Sequence, residues 1–451
     1  AGIGKKIAPA TIINENGERI GVVGATTQIV QSISSTGGVE VIGDNVDDMP
    51  ALAAILQPTI EHYRTPVFDG VAERGRADGL YSLEVLGGMK DGKAIGGSAR
   101  PYFREVPRTE IRPGGVILYQ WPAAPGLIEA ERPDLLVMEA NIRNLTCWKL
   151  LRRCRAMGVP VVGWSKVHSY SHSGRIMTML KRRFYGKYDR MICYGESSKA
   201  ELVGLGYPAD RAIIANNTID TRRIFAEGDR LRARGEEIRR ERGLTGKKII
   251  LCIGRMDPDK RHQDLLDAWP RLRELDPTLT LVLISGGPLL EEVRAKAAAL
   301  DPQRIFVTGR VPEGDDYAWI ATSDLCIYPG AVGLAINQSL AFGKPTLIAN
   351  ELGADSEILV GAEKPAEQTG WRYERGNLGA MVASVRAILT GGHEVQPVCD
   401  RAMTLMRDKV TLENMIGAID RSIRLGLALR RGRRNRARAS HCLSSRRDSG
   451  N

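Results

Sequence analysis

The feature that most restricts what this chain can fold into is a repeated alternation of short, continuous apolar runs with segments of helical spacing. One series of apolar runs comprises LAAILQ (52–57), SLEVLG (82–87), DLLVME (134–139), VPVVGW (159–164), DRMICY (189–194) and RAIIAN (211–216). A second comprises KIILCIG (248–254), LTLVLIS (279–285), RIFVTG (304–309), DLCIYP (324–329) and KPTLIAN (344–350). Between them lie stretches such as NLTCWKLLRRCRAMG (144–158) and HQDLLDAWPRLREL (262–275), whose apolar residues recur at helical intervals. Strands that are apolar throughout, separated by helices, form parallel sheets covered on both faces. The class is therefore α/β, doubly wound. A charged helical stretch, 222–245, parts the two series, and a new sheet begins after Gly246. Two Rossmann-like domains, 51–222 and 246–410, are expected to face each other across a cleft. Ligands in such sheets bind beyond the carboxyl ends of the strands. A C-terminal helix is expected over 411–429 and a basic, disordered tail over 430–451.

Charge narrows the function classes. The net charge is +11, but ten arginines and one aspartate between Arg421 and Asn451 supply +9 of it, leaving about +2 for the other 420 residues. The basicity belongs to the tail, and a folded body built to bind nucleic acid is not expected. The tail is too poor in apolar residues to fold alone, and a solvated, disordered end is the first expectation; contact with anionic lipid head groups is the functional alternative and RNA binding a third. No apolar run reaches the roughly 20 residues of a membrane span, and AGIGKKIAPATI lacks a signal-peptide core. The expected location is the cytoplasm; a peripheral place at the inner face of the membrane is the alternative if the tail meets lipid. Seven cysteines without CxxC spacing read as small buried side chains in a reducing compartment, and no cluster has zinc-ligand spacing.

Three loops could carry chemistry. In CIGRMDPDKRHQDLLDAW (252–269) a strand ends at Gly254, and Arg255 and Lys260 flank the loop before a helix near His262. Two preset cations there would stabilise the charge that grows on a departing diphosphate; surface charges at a strand–helix turn are the plainer explanation. In YPGAVGLAINQSLAFGKPTLI (328–348), Gly330 and Gly333 permit close backbone approach before a helix that starts near Gly333, where free N–H groups suit a phosphate. In ISGGPLLEEV (284–293), the turn at Gly286 is compatible with phosphate or sugar, or is simply a tight strand–helix turn.

The order and spacing of the three loops resemble the donor-binding half of family 4 glycosyltransferases of the GT-B fold. The resemblance covers residues 51 to about 425. It implies that 246–410 binds a nucleotide-sugar and that 51–222 receives the acceptor. Gly254-Arg255 and Lys260 match the family's diphosphate-holding pair. The family's two later glutamates, eight positions apart, fall in register on Gly330 and Gln338; neither is glutamate here, although Gln338 keeps hydrogen-bonding capacity. Gly333 and Leu334 match the helix start, and Arg310 and Val311 are implied to lie near the nucleobase. In the first domain, RPDLLVMEANIRNLTCWKLLRRCRAMGVPVVGWSKVHSYSH (132–172) resembles the acceptor half of a bacterial subset, with His168 as the implied histidine beside the reacting sugar and His172 as the alternative. His62 and Arg64, in the loop after the first strand, are expected to shape the acceptor pocket. Asn217 and Asp220 read as mainly structural.

The resemblance implies hexosyl transfer with retention of configuration, without a metal or other cofactor, to a glycan or lipid-linked acceptor. A nucleotide-sugar epimerase or phosphorylase on the same scaffold, and a non-catalytic nucleotide-sugar-binding protein, are the competing readings. Residues 1–50 break the pattern. GERIGVVGATTQIVQSISSTGGVEVIGDNVDDMP resembles a short internal piece of 5′-nucleotidase-type metallophosphoesterases without their metal ligands, and a fused segment is expected there.

Overall fold

The computed structural model describes residues 11–15, 18–22, 50–88, 100–167, 174–312, 314–350 and 357–448. The contacts divide the chain after Pro50. Within 1–50 the described part is an antiparallel hairpin of Thr11–Glu15 and Glu18–Val22; the rest of the segment likened to a metallophosphoesterase lies outside the described residues.

From Ala51 onward the chain builds two parallel sheets. The first has seven strands in the order Ala212–Ile214, Arg190–Cys193, Val161–Ser165, Leu135–Glu139, Ala51–Thr59, Tyr81–Gly88 and Phe103–Glu105. The second has six, in the order Ile305–Gly309, Leu279–Ile284, Lys248–Ile253, Leu325–Tyr328, Thr346–Ala349 and Trp371–Tyr373. All pairings in both are parallel.

Each sheet is apolar on both faces because both are covered. Ala54 and Leu56 join the cluster on one face of the first sheet, and Ala53 and Ile55 the cluster on the other. Ile249 and Leu251 divide from Ile250 and Cys252 in the same way. This two-sided burial, alternating residue by residue along a strand, is why the strands read as unbroken hydrophobic runs. The helices supply the cover. Leu145–Ala156, for example, is started by the Asn144 side chain accepting the Thr146 N–H and turns Cys147, Leu150, Leu151 and Cys154 inward.

The strand order reverses between Ala51–Thr59 and Leu135–Glu139 in the first sheet, and between Lys248–Ile253 and Leu325–Tyr328 in the second. At such switch points the adjacent loops diverge and open a crevice at the carboxyl ends.

The C-terminus corrects one expectation. The helix over 411–429 does not give way to a disordered tail; Leu412–Asp448 is one helix. It crosses back to the first domain, where Leu412, Met415, Ile416, Ile419, Ile423 and Leu427 enter that domain's core. Tyr81 donates its hydroxyl to Asp420 at 2.9 Å. Further along, Arg430 donates to the Met157 carbonyl at 2.7 Å, Arg433 pairs with Asp189, and Arg434 donates to Asp134 at 2.8 Å. These arginines have fixed carboxylate and carbonyl partners on the first domain, which charge counting along the chain could not supply. No helix among the described residues is long and apolar enough to cross a membrane.

Candidate functional site between the two sheets

Between the carboxyl ends of the two sheets lies a cleft of about 1200 Å³. The first domain contributes Glu61, Tyr63, Arg64 and Pro66 after its first strand, Lys166 after Val161–Ser165, Tyr194 after Arg190–Cys193, and Asn217. The second contributes the loops that begin at Gly254, Ser285, Arg310 and Pro329. Of the residues predicted from sequence, Gly254, Arg255, Lys260, Gly286, Arg310, Val311, Gly330, Gly333, Leu334, Gln338 and Arg64 all line this one space. His168 and His172 lie outside the described residues, as does the side chain of His62, whose backbone forms a short 3₁₀ turn, His62–Arg64.

The loops of the second domain are stacked on one another through their backbones. Lys260 donates to the Ala331 carbonyl at 2.6 Å, and the Ala331 N–H donates to the Asp259 carbonyl at 2.9 Å. The Met256 N–H donates to the Gly286 carbonyl at 2.9 Å. At Gly287 a Cβ would stand 2.5 Å from the Met256 nitrogen, so glycine is required there. Gly254 differs: no atom lies within 4 Å of where its Cβ would be, and that direction is open.

The charges are arranged unequally. Arg255 is paired with Asp257 of its own loop at 3.0 Å and is about half exposed, whereas the Lys260 ammonium is held against the second loop. At the far end, Arg223 lies over the Tyr317 ring at 5.8 Å. Burial holds the Asp316 carboxyl above its ordinary range and the Tyr317 hydroxyl above its own. His262 is 2% exposed, with neither ring nitrogen in a hydrogen bond of good geometry. Burial first, and the Lys260 charge second, push its pKa down to about 4, so the ring is neutral at pH 7. Among the described residues no three His, Cys, Asp or Glu side chains converge as a metal site. The six described cysteines are buried and unbridged, and burial pushes the Cys252 thiol up to about 12, which makes it unreactive.

Arg64 lines the cleft but is committed elsewhere as well. Its guanidinium donates to the Asn217 side chain and, at 3.4 Å, to the Thr218 carbonyl, and lies 6.0 Å from the Tyr194 ring centroid. It braces the connector between the domains as well as lining the cleft. From the other side, the buried Asn337 amide donates to the Asn217 carbonyl and to Thr218 Oγ at 3.2 Å each. A second tie joins the domains, where the Ser197 N–H donates to the Glu357 carboxylate at 2.6 Å.

Sequence reading missed Lys166, Tyr194, Arg223, Asp316 and Tyr317. Lys166 follows one predicted strand and Tyr194 ends another, and both were open to the strand-end rule. Arg223 and the Asp316–Tyr317 pair sit on helices remote in sequence, and nothing local marks them.

The class this architecture defines is the two-domain GT-B fold. Residues 82–223 match the family model Glycosyltransferase Family 4, and residues 235–401 match Glycosyl transferases group 1. Neither match reaches residues 1–50. The chain is 29% identical over 218 residues, 44% of its length and 52% of the relative's, to a GDP-mannose-dependent alpha-(1-6)-phosphatidylinositol monomannoside mannosyltransferase of Mycolicibacterium smegmatis. It is 26% identical over 250 residues, 51% of its length and 55% of the relative's, to a glycogen synthase of Mycobacterium tuberculosis. It thus spans about half the length of these curated relatives. Among solved structures, Anabaena Alr3699/HepE in complex with UDP superposes with a TM-score of 0.62 at 13% identity, covering 82% of this chain and 99% of that one. A glycosyltransferase from Rickettsia africae gives 0.62 at 14% identity, covering 84% and 98%. The chain has the GT-B fold and is related in sequence to glycosyltransferases.

Proposed function

We propose that this chain transfers a sugar from a nucleotide-sugar to a glycan or lipid-linked acceptor, with retention of configuration. The observation that carries the reading is the juxtaposition of Arg255, Lys260 and two backbone-stacked glycine loops on one cleft at the switch point of the second sheet. The relatives' names support a nucleotide-sugar as donor.

In this reading the diphosphate lies against Gly254, Arg255 and Lys260, and the nucleoside extends toward Arg310, Val311 and Gln338. The glycosidic C1–O bond to the diphosphate breaks while an acceptor oxygen bonds to C1 from the same face. The acceptor's proton passes to a leaving diphosphate oxygen. Arg255 and Lys260 offset the charge that accumulates on the diphosphate, so no metal or other cofactor is needed for this step. His168 is proposed beside the transferred sugar.

A second reading, nucleotide-sugar binding without turnover, is favoured by Gly330, which has no side chain where the family has a glutamate. A panel of UDP-, GDP-, TDP- and ADP-sugars, screened by thermal shift and for nucleotide release, separates the two. The transferase reading expects one donor to stabilise the wild type, and not Arg255→Ala/Lys260→Ala, and to release nucleoside diphosphate when acceptor is added. Stabilisation without release selects the binding protein. Stabilisation by none rejects both.

A further inference from the structure

From Asn141 to Tyr188 the sequence has eleven lysines and arginines and not one aspartate or glutamate. The fold turns much of this segment to one surface of the first domain. Its helix Arg175–Tyr185 buries Lys181, Phe184 and Tyr185. The other side leaves Ile176 80%, Met177 43%, Met179 67% and Leu180 38% exposed, four of the nine large apolar side chains exposed among the described residues. Beside this helix is a shallow hollow of about 490 Å³ with an apolar floor of Leu145, Trp148 and Leu151. Its other lining residues are Lys149, Arg152, Arg155, Arg183 and Lys187, and no acidic side chain among the described residues reaches it. Among the described residues none of these five cations is ion-paired with a carboxylate. Arg430 of the arginine-rich helix Leu412–Asp448 donates to the Met157 carbonyl, two residues beyond Arg155.

We infer that this surface docks the protein on an anionic phospholipid bilayer, with the Arg175–Tyr185 helix lying in the head-group region. Exposed aliphatic side chains next to unpaired cations fit an interface that is apolar beneath and negatively charged at its surface. Nucleic acid would reward the cations but not four aliphatic side chains, and the aromatic ring of the hollow, Trp148, is packed on Phe184 with ring centroids 4.8 Å apart and donates its Nε1–H to the Ile142 carbonyl. A second copy of the chain would bring the same cations face to face. Lys166 of the cleft precedes Arg175 by nine residues, an extended reach of about 30 Å, so docking here holds the cleft near the lipid surface. The inference does not depend on the transferase reading, because vesicle binding needs no donor and no turnover.

The test is co-sedimentation of the full chain with phosphatidylcholine vesicles, with and without phosphatidylglycerol. Binding is expected only to the anionic vesicles. Ile176→Ser/Met179→Ser and, separately, Arg152→Glu/Arg155→Glu/Arg183→Glu should each weaken it by about tenfold or more. All five of these side chains are exposed, so the substitutions leave the core intact. Binding left intact by both sets, or lost on removing 436–451 but not on changing Ile176 and Met179, would overturn the assignment, as would a concentration-dependent dimer that the Ser variant alone dissolves. Met179→Trp gives a readout that needs no loss of binding: a blue shift of its fluorescence with anionic vesicles supports docking, and an unchanged spectrum rejects it.

Discussion

Gly330 lies directly against the backbone of Lys260: a Cβ at this position would stand 2.6 Å from the Lys260 carbonyl carbon and closer still to the Asp259 carbonyl oxygen. The position where the resemblance puts a glutamate is therefore filled by the neighbouring loop. Restoring the family residue should fail. Gly330→Glu is expected to lower stability by about 1–3 kcal/mol, the usual cost of overpacking, and to weaken nucleotide-sugar binding by parting the two loops. Urea unfolding and calorimetric titration with the donor measure both. A variant of wild-type stability that binds donor more tightly would show that the loop has room for the side chain.

Lys260 and Arg255 should not be equivalent. Lys260 holds the Ala331 carbonyl at 2.6 Å as well as presenting a charge, whereas Arg255 shares its charge with Asp257 at 3.0 Å and is half exposed. Loss of one preset charge partner typically costs about 10²–10³-fold in rate. Lys260→Ala is expected at the upper end of that range, and Arg255→Ala below it, in kcat/KM for nucleotide-sugar. Equal losses would mean that the Ala331 contact contributes nothing.

The buried His262 makes stability depend on pH. Its folded pKa, about 4, lies below the 6.5 of a free imidazole, so between these values the unfolded chain binds the additional proton. Stability contributed by the neutral ring is therefore complete above pH 6.5 and is lost as pH falls toward 4. Between pH 7 and pH 5 the loss amounts to about 2 kcal/mol. Unfolding free energies from urea titrations at the two pH values should differ by that much more in the wild type than in His262→Leu. Parallel pH dependence in the two proteins would place the proton uptake elsewhere.

The C-terminal helix is a core element of the first domain up to Leu427. Truncation before Leu412 exposes that apolar face and should give an aggregating protein. Ile419→Ala, fully buried, should cost about 2–5 kcal/mol. Truncation after Asn435 should leave the melting temperature within a few degrees of the full chain, because the described contacts on the first domain end with Arg434. Scanning calorimetry of the three proteins distinguishes these cases.

Both sheets could be read in the sequence because each strand is buried on two faces and so advertises itself as an apolar run; Ile249 to Cys252 alternate between two cores and none is polar. The cleft loops of the second domain were legible for a related reason, helped by their resemblance to a known family. Strand-end glycines and the Arg255–Lys260 spacing are local, and the strand order alone brings them together. What the sequence could not assign was anything that depends on a distant partner. Arg64 became a brace because Asn217 lies beside it. The arginines of the last helix found Asp134 and Asp189, 300 and 244 residues away. Arg223 was brought over Tyr317, and Gly330 was pressed against Lys260. Composition and periodicity report which residues are buried, since burial acts on each side chain by itself. Which charge meets which carboxylate, and which glycine has no room for a side chain, is decided only when chain segments far apart in sequence are packed at van der Waals distance.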